Sequence, residues 1–195
     1  LYTGNGAIQT IENGIALGDS NYGPSVDFDG TNDYLSRSSD MTGNADGKTF
    51  TFSCWLYKKS DLSYSIYNNR NASGYGFQVF ATSSTRITIY ATNASGTAVL
   101  NMQNSTSEMS LYTWTHILIS MDLSSASNRS VYINDVDKTS SFSFSAYSND
   151  NIDFTQGDHF VASRLATDAK FDGRLSNVFL DYTYRDLSVT NNRRL

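Results

Sequence analysis

Three aspartates lie close together in the sequence, in a short stretch that also contains Gly30 and Asn32: Asp27, Asp29 and Asp33. Oxygen-rich turns suit Ca²⁺, which takes about six to eight oxygen ligands. Asp29 and Asp33 are therefore candidate calcium ligands, with backbone carbonyls and Asp172 completing the shell. In the alternative interpretation, the same carboxylates cap the turn by accepting hydrogen bonds from backbone N–H groups.

Aromatic side chains provide a second kind of candidate site. Trp55, Tyr57, Tyr90 and Tyr132 all fall on the predicted non-core face of their strands. Aromatic rings stack on sugar rings, while amide, carboxylate and guanidinium groups bind the hydroxyls. These four residues are predicted to bind a ligand, and the alternative is that their rings pack against a second sheet or a neighbouring subunit. Three more tyrosines, Tyr64, Tyr67 and Tyr75, fall in a loop rich in Tyr and Asn, in which a short strand is expected near Tyr64 to Tyr67.

Catalytic residues are harder to find. Glycoside hydrolysis needs two carboxyl groups about 5 Å apart in retaining enzymes, one of them protonated. The glutamates of the chain are Glu12 and Glu108, and neither has an acidic residue two positions away. Asp181 and Asp186 are spaced so that they do not share one face of a strand. We therefore predict that the protein is not an enzyme.

The overall composition excludes several classes of protein. A net charge of -5 and a pI near 4.8 argue against nucleic-acid binding, which needs a basic surface. No apolar run approaches the roughly 20 residues needed to span a bilayer, so no membrane insertion is expected. Cys54 is the single cysteine and falls in a strand pattern, which predicts a buried thiol.

These residues must be positioned by strands. Between Lys48 and Lys58, four apolar side chains alternate with Thr51, Ser53, Trp55 and Tyr57. More than ten such short segments, separated by turn residues, predict an all-β fold, an antiparallel sandwich of two sheets. We expect a single domain over residues 1–195, a first strand or hairpin within Ala7–Leu17, and a helix only at Asp186–Arg194.

The order of the segments resembles a known family. An aspartate-rich turn at Phe28–Leu35 is followed by a strand containing Trp55, a Trp-x-His strand at Thr113–Asp122 and a hairpin at Val131–Asp135. A closing strand, FDGRLSNVFLDYTYRDLS, completes the series. This order is similar to that of the laminin-G-like, concanavalin A-like jelly-roll family. The chain departs from the family pattern at Asp135, where Gly is common, and at Asn177, where Asp is common.

The resemblance implies a laminin-G/concanavalin A-like jelly roll. The form TGNADGKTFTFSCW also resembles modules of phage tail and surface proteins. The expected function is a non-enzymatic virion surface component of a phage, a fibre, appendage or decoration module for adhesion. Its expected partners are other virion proteins and host-surface glycans, in a multi-copy assembly on the virion surface or outside the cell. The alternative function is a carbohydrate-binding module of an extracellular enzyme or adhesin.

Overall fold

The computed structural model describes residues 3–5, 8–9, 24–41, 43–83 and 86–194. Two antiparallel sheets make up the fold, as the sequence predicts. In spatial order, the eight-stranded sheet contains Thr3–Asn5 (β1), Tyr34–Arg37 (β4), His159–Val161 (β14), Tyr64–Asn68 (β6), Phe77–Ala81 (β7), Ile87–Thr92 (β8), Ala98–Asn104 (β9) and Phe142–Tyr147 (β13). The seven-stranded sheet contains Val136–Asp137 (β12), Arg129–Ile133 (β11), Trp114–Asp122 (β10), Thr49–Lys58 (β5), Asp172–Asp181 (β15), Val26–Asp29 (β3) and Ile8–Gln9 (β2). The rest of the predicted first strand, Ala7 and residues 10–17, lies outside the described residues.

Strand β5 is the centre of the seven-stranded sheet. It pairs with β10 on one side and with β15 on the other. Its inward side chains Phe50, Phe52, Cys54 and Leu56 are all 0% exposed, which confirms the predicted core face. Burial also raises the pKa of the Cys54 thiol far above its usual value, so this thiol stays protonated and acts as a small apolar side chain.

Side chains from both sheets form the main core. Phe50 of β5 meets Phe77 of β7 edge to face, with ring centroids 4.8 Å apart. Ile66, Ile89 and Met102 are buried in the same cluster. Because the core takes up the inner face of each sheet, a ligand that binds to the face of a sheet must bind to an outer face.

A β-bulge in β15 shifts its register against β5 between Ser176 and Phe179. Asn177 has a φ of 50°, a backbone conformation that Asn tolerates better than most residues. The bulge lets Leu175 on one side of it and Val178 on the other both pack on the core. Asn177 therefore has a role in the backbone geometry of the strand.

The turn between β11 and β12 forms without glycine. Asn134 and Asp135 both have positive φ angles, 51° and 61°. These are the angles of a type I′ hairpin turn, in which Asn and Asp are tolerated. The departure from Gly at Asp135 therefore leaves the hairpin intact.

The predicted helix at Asp186–Arg194 is wrong in extent, because only Thr190–Arg193 is helical there, as a 3₁₀ turn. A second 3₁₀ turn, which the sequence did not predict, lies at Thr139–Ser141. The C-terminal segment, from Thr183 to Arg193, crosses the outer face of the seven-stranded sheet. Thr51 Oγ1 donates to the Thr183 carbonyl at 2.8 Å, and the Arg185 amide donates to Ser120 Oγ at 2.8 Å. Side-chain hydroxyls of the sheet thus satisfy backbone groups of the connection between β15 and the 3₁₀ turn. None of the helices among the described residues is long and apolar enough to cross a bilayer.

Candidate functional site

The outer face of the seven-stranded sheet carries a group of aromatic rings where β5 ends and β10 begins. In the sheet register Trp55 lies opposite His116, and Tyr57 lies opposite Trp114. We call Trp55, Tyr57, Tyr112, Trp114 and His116 the aromatic face. The rings of Trp55 and His116 stack with their centroids 4.8 Å apart and 30° between their planes. The ring centroids of Tyr57 and Trp114 are 5.6 Å apart.

Tyr112 extends the aromatic face beyond the strands. It precedes β10, has a φ of 58° and donates its backbone N–H to the Lys58 carbonyl at 2.8 Å. This geometry brings its ring to 6.5 Å from Tyr57, edge to face. The Tyr112 side chain is well exposed, at 64%, so it can contact a ligand without rearrangement.

Charged groups border the aromatic face along β15 and β3. Arg174 is paired with Tyr57 across the sheet, and its guanidinium lies 5.7 Å from the Tyr57 ring. Asp27 Oδ2 accepts from Arg174 Nε at 3.3 Å, while Asp27 Oδ1 accepts from Lys59 Nζ at 2.5 Å. Hydrogen-bond donors and an acceptor therefore lie beside exposed rings, the combination that sugar hydroxyls require.

His116 has a structural role in the aromatic face. Its Nε2 lies 2.9 Å from Ser53 Oγ, and its backbone N–H donates to Asn134 Oδ1 at 2.8 Å. Burial lowers the pKa of the imidazole below its usual value, against a smaller opposing effect of Asp135. The ring is therefore neutral at pH 7 and stacks on Trp55 as a flat, uncharged group.

Only two of the four predicted ligand-binding aromatics lie together. Trp55 and Tyr57 are in the aromatic face, whereas Tyr132 is 8% exposed and packs with Leu118 and Leu187 under the C-terminal segment. The Arg193 guanidinium lies 4.8 Å from the Tyr132 ring. For Tyr132, the packing alternative is the one that the geometry supports.

Tyr90 belongs to the opposite side of the sandwich. It lies in β8 of the eight-stranded sheet, with the Arg70 guanidinium 4.3 Å from its ring. The short strand expected near Tyr64 to Tyr67 is confirmed as β6, in which both tyrosines are buried, whereas Tyr75 is exposed. Tyr90 therefore cannot share a binding site with Trp55.

The acidic turn holds its aspartates as backbone caps. Asp29 Oδ1 accepts from the Thr31 and Asn32 amides at 2.8 and 3.1 Å, and these bonds lower the pKa of Asp29. Asp33 Oδ2 accepts from the Asp29 amide at 3.2 Å. Asp172 lies opposite Asp29 in the sheet register.

A lysine side chain lies within electrostatic reach of this acidic turn. Burial lowers the pKa of Lys170, which is itself nearly buried, and the charges of Asp29 and Asp33 offset this lowering only in part. Within residues 24–41, 43–83 and 86–194, no group of three or more His, Cys, Asp or Glu side chains is arranged to hold a metal ion. Calcium binding at Asp29, Asp33 and Asp172 stays a prediction, and the capping role accounts for the geometry of Asp29 and Asp33.

The remaining acid and base candidates have structural contacts. Glu108 forms an ion pair with Lys138 at 2.9 Å and accepts from Thr106 Oγ1 at 2.9 Å. His159 is fully buried, with its Nδ1 2.8 Å from the Tyr67 hydroxyl. Glu12 lies outside the described residues. These contacts explain the side chains without a catalytic role.

Sequence reasoning missed Tyr112, Trp114 and the charged border. The alternation of β10 does place Trp114 on the same face as His116, so Trp114 could have been included from the sequence. Tyr112 precedes the strand, and its position depends on a positive φ that Tyr rarely adopts. Arg174 reaches Tyr57 only through pairing of β15 with β5, which local alternation does not predict.

Comparison with known proteins places the chain in a family. The sequence model of the concanavalin A-like lectin/glucanases superfamily, in its laminin G form, matches residues 29–181. The chain belongs to this superfamily. The match begins at the acidic turn and ends with β15, so it includes β5 and β10 of the aromatic face. No curated protein matches the sequence.

Solved structures show the same lectin-like jelly-roll fold at low sequence identity. A proposed carbohydrate-binding protein from Bacteroides ovatus matches with a TM-score of 0.59 and 12% identity, over 82% of this chain and 44% of that one. The binding domain of botulinum neurotoxin serotype G matches with a TM-score of 0.68 and 13% identity, over 96% and 44%. A pentraxin from Limulus polyphemus matches with a TM-score of 0.57 and 11% identity, over 83% and 77%.

The superfamily name joins lectins and glucanases, so membership leaves the chemistry to the residues of each member. The chain spans less than half the length of the Bacteroides protein and of the neurotoxin domain. At these identities the likeness establishes the fold, and the function must be argued from the aromatic face itself.

Proposed function

We propose that this superfamily member is a non-catalytic glycan-binding module and that sugars stack on its aromatic face. The observation that supports the proposal is that Trp55, Tyr57 and Tyr112 lie next to the charged border formed by Asp27, Lys59 and Arg174. The Trp55 and Tyr57 rings are partly exposed on a sheet whose inner face is fixed by the core. A rigid scaffold lowers the entropy cost of binding, because the rings are already ordered.

The contacts of Asp27, the carboxylate in the charged border, support a binding role over hydrolysis. Asp27 accepts hydrogen bonds from Lys59 and Arg174, so both of its oxygens are engaged by cations. A glycosidase would need a protonated carboxyl group facing the scissile bond and a second carboxylate nearby. Asp27 is better suited to orient Lys59 and Arg174 toward sugar hydroxyls.

The finer proposal is that the module is exposed on a phage virion, in multiple copies, and binds host-surface glycans for adhesion. Its support is the resemblance of the Thr42–Trp55 segment to phage surface modules. In the alternative, the module belongs to an extracellular enzyme or adhesin. A virion protein would copurify with other structural proteins in several copies, whereas the alternative predicts a monomer with measurable glycan affinity.

The test of glycan binding is a glycan array followed by calorimetry on the best ligand. Trp55→Ala and Tyr57→Ala should each weaken binding about tenfold or more, which corresponds to about 1.4 kcal/mol. Tyr90→Ala is the matched control, because it removes a partly exposed aromatic ring from the opposite face. Binding that survives Trp55→Ala unchanged, or silence across the array, would refute the proposal.

A further inference from the structure

The outer face of the eight-stranded sheet contains a polar groove of about 420 Å³. It lies on the side of the sandwich opposite the aromatic face and is formed by β7, β8, β9 and β13. Its volume falls within the range of about 300 to 1,000 Å³ that small-molecule sites occupy. The lining residues are Phe80, Arg86, Thr88, Asn101, Gln103, Asn104, Ser105, Ser143 and Ser145.

The sheet register aligns polar side chains across the groove. Thr88 lies opposite Gln103, and Gln103 lies opposite Ser143 on the other side. Gln103 Nε2 donates to Thr88 Oγ1 at 2.8 Å, which leaves the Gln103 carbonyl oxygen as an acceptor. Phe80, opposite Thr88, contributes an aromatic ring to the lining. The groove thus combines an apolar surface with hydrogen-bonding groups.

A bulge in β13 supplies the hydroxyl of Ser145. The register against β9 shifts between Phe144 and Ala146, and Ser145 is the residue in that interval. Its Oγ donates to the Asn101 carbonyl at 3.3 Å. The bulge therefore keeps Ser145 beside Asn101 at the wall of the groove.

The charge of the groove comes from Arg86. Among the lining residues it is the one with a formal charge. Several other arginines are paired with carboxylates, for example Arg174 with Asp27 and Arg185 with Asp181. Within the described part of the chain, Arg86 forms no ion pair within 4.0 Å. An unpaired guanidinium among amides and hydroxyls is suited to an anion.

Asn104 fixes the position of Arg86. Its Oδ1 accepts from the Ile87 amide at 2.7 Å, and its Nδ2 donates to the Thr106 carbonyl. Asn104 is almost fully buried, so both ends of its amide are used to hold the backbone. The chain segment that begins β8 is thereby attached to β9, and Arg86 projects from a fixed strand end.

We propose that this groove is a second binding site, for a short acidic oligosaccharide. The carboxylate or sulfate group of one sugar accepts from the Arg86 guanidinium. The neighbouring hydroxyls bind Gln103 Oε1, Asn101 and Ser143, and the apolar side of a sugar ring contacts Phe80. The site goes beyond the aromatic face, because it lies on the other sheet and recognises charge as well as shape.

The experiment is a titration of the ¹⁵N-labelled protein with trigalacturonate, a sulfated carrageenan tetrasaccharide and neutral maltotriose. One or both acidic probes should shift the side-chain amide resonances of Asn101 and Gln103, and maltotriose should not. The two acidic probes separate a carboxylate site from a sulfate site. No shift at these amides with either acidic probe would overturn the proposal.

Three variants make the test specific. Arg86→Gln should weaken binding of the acidic probe at least tenfold, and Gln103→Glu should do the same by placing a negative charge beside the anion. Arg194→Gln is the matched control, since it removes the same charge from an exposed position in the C-terminal segment. Equal losses in Arg86→Gln and Arg194→Gln would indicate attraction to net charge only and would overturn the proposal.

The outcome is separable from that of the aromatic face. Trp55→Ala should leave the acidic probe's affinity and the Gln103 shifts unchanged. If Trp55→Ala abolishes these shifts, the ligand binds at the aromatic face and the groove proposal is wrong. A thermal melt of each variant confirms that the losses do not come from unfolding.

Discussion

Gly173 is the position where a single added methyl group should damage this fold most clearly. It lies in β15 with a φ of 151°, and it pairs with Phe28 on one side and Lys58 on the other. A Cβ at this position would lie 2.0 Å from the Tyr57 carbonyl oxygen and 2.8 Å from an edge atom of the Phe171 ring. Real Cβ contacts essentially never fall below 3.0 Å, so the β5 backbone would have to move by about an ångström.

The expected cost of Gly173→Ala follows from two effects. Overpacking against neighbours that cannot rotate away costs about 1–3 kcal/mol. Holding a non-glycine residue in a rarely populated backbone region adds about 1–3 kcal/mol. The free energy of unfolding should therefore fall by about 2–6 kcal/mol, a large share of the roughly 5–15 kcal/mol of a typical domain. At about 2–4 °C per kcal/mol, the melting temperature should drop by at least 4 °C.

Urea unfolding followed by tryptophan fluorescence, with thermal melts by circular dichroism, measures this cost. Gly157→Ala is the matched control, because a Cβ there meets nothing within 4 Å. That variant should stay within about 0.5 kcal/mol of the parent protein. If Gly173→Ala also lost less than about 1 kcal/mol, the close approach of β15 to the Tyr57 carbonyl would not be a feature of the folded protein.

Three further predictions concern buried charge and the acidic turn. Lys58 is fully buried, and burial lowers its pKa. In urea melts, Lys58→Met should therefore change the free energy of unfolding by less than about 1 kcal/mol, whereas Lys58→Ala should lower it by about 2 kcal/mol or more. Equal losses in the two variants would contradict this prediction. Burial also lowers the pKa of His159 below its ordinary 6.5. The nearby Asp40 and Asp158 carboxylates raise this pKa in part, and Arg37 lowers it further. As the pH falls below about 6.5, the unfolded chain therefore takes up the proton before the folded protein does. The free energy of unfolding should be level above that pH and decline below it. In urea melts from pH 7 to 5, the free energy of unfolding of a His159→Gln variant should decline less steeply. If Asp29 and Asp33 act as backbone caps only, millimolar Ca²⁺ should leave the melting temperature where a chelator leaves it, because both carboxylates already accept backbone hydrogen bonds. A rise of several degrees with Ca²⁺ would instead support the predicted calcium site.

Local alternation predicted much of the fold. The apolar positions of β5 are all buried, and Asn134–Asp135 forms the expected turn. These features depend on neighbours in sequence, where strand period and turn chemistry act directly. The bulge at Asn177 is different, because a single residue with positive φ changes which side chains face the core on either side of it.

The candidate site could be predicted only in part, because it depends on which strands are neighbours. Trp55, Tyr90 and Tyr132 all alternate with core residues, and by sequence they are equivalent. Strand pairing separates them: Tyr90 is in the other sheet, and Tyr132 is on the same sheet as Trp55 but covered. Contacts between residues far apart in the chain decide these differences, and no local pattern contains them.

The C-terminal segment determines which part of the seven-stranded sheet can bind a ligand. Its path from Thr183 to Arg193 covers Thr51, Ser120 and Tyr132, and buried Leu187 packs between the segment and the sheet. The sheet hydroxyls beneath it bind backbone groups, so this half is a packing surface. Trp55 and Tyr57 lie beyond that path, where β5 is bordered by Arg174 and Tyr112. Aromatic residues of the outer face lie both under the segment, as Tyr132 does, and beyond it, but only where the segment leaves them uncovered can their rings contact a sugar.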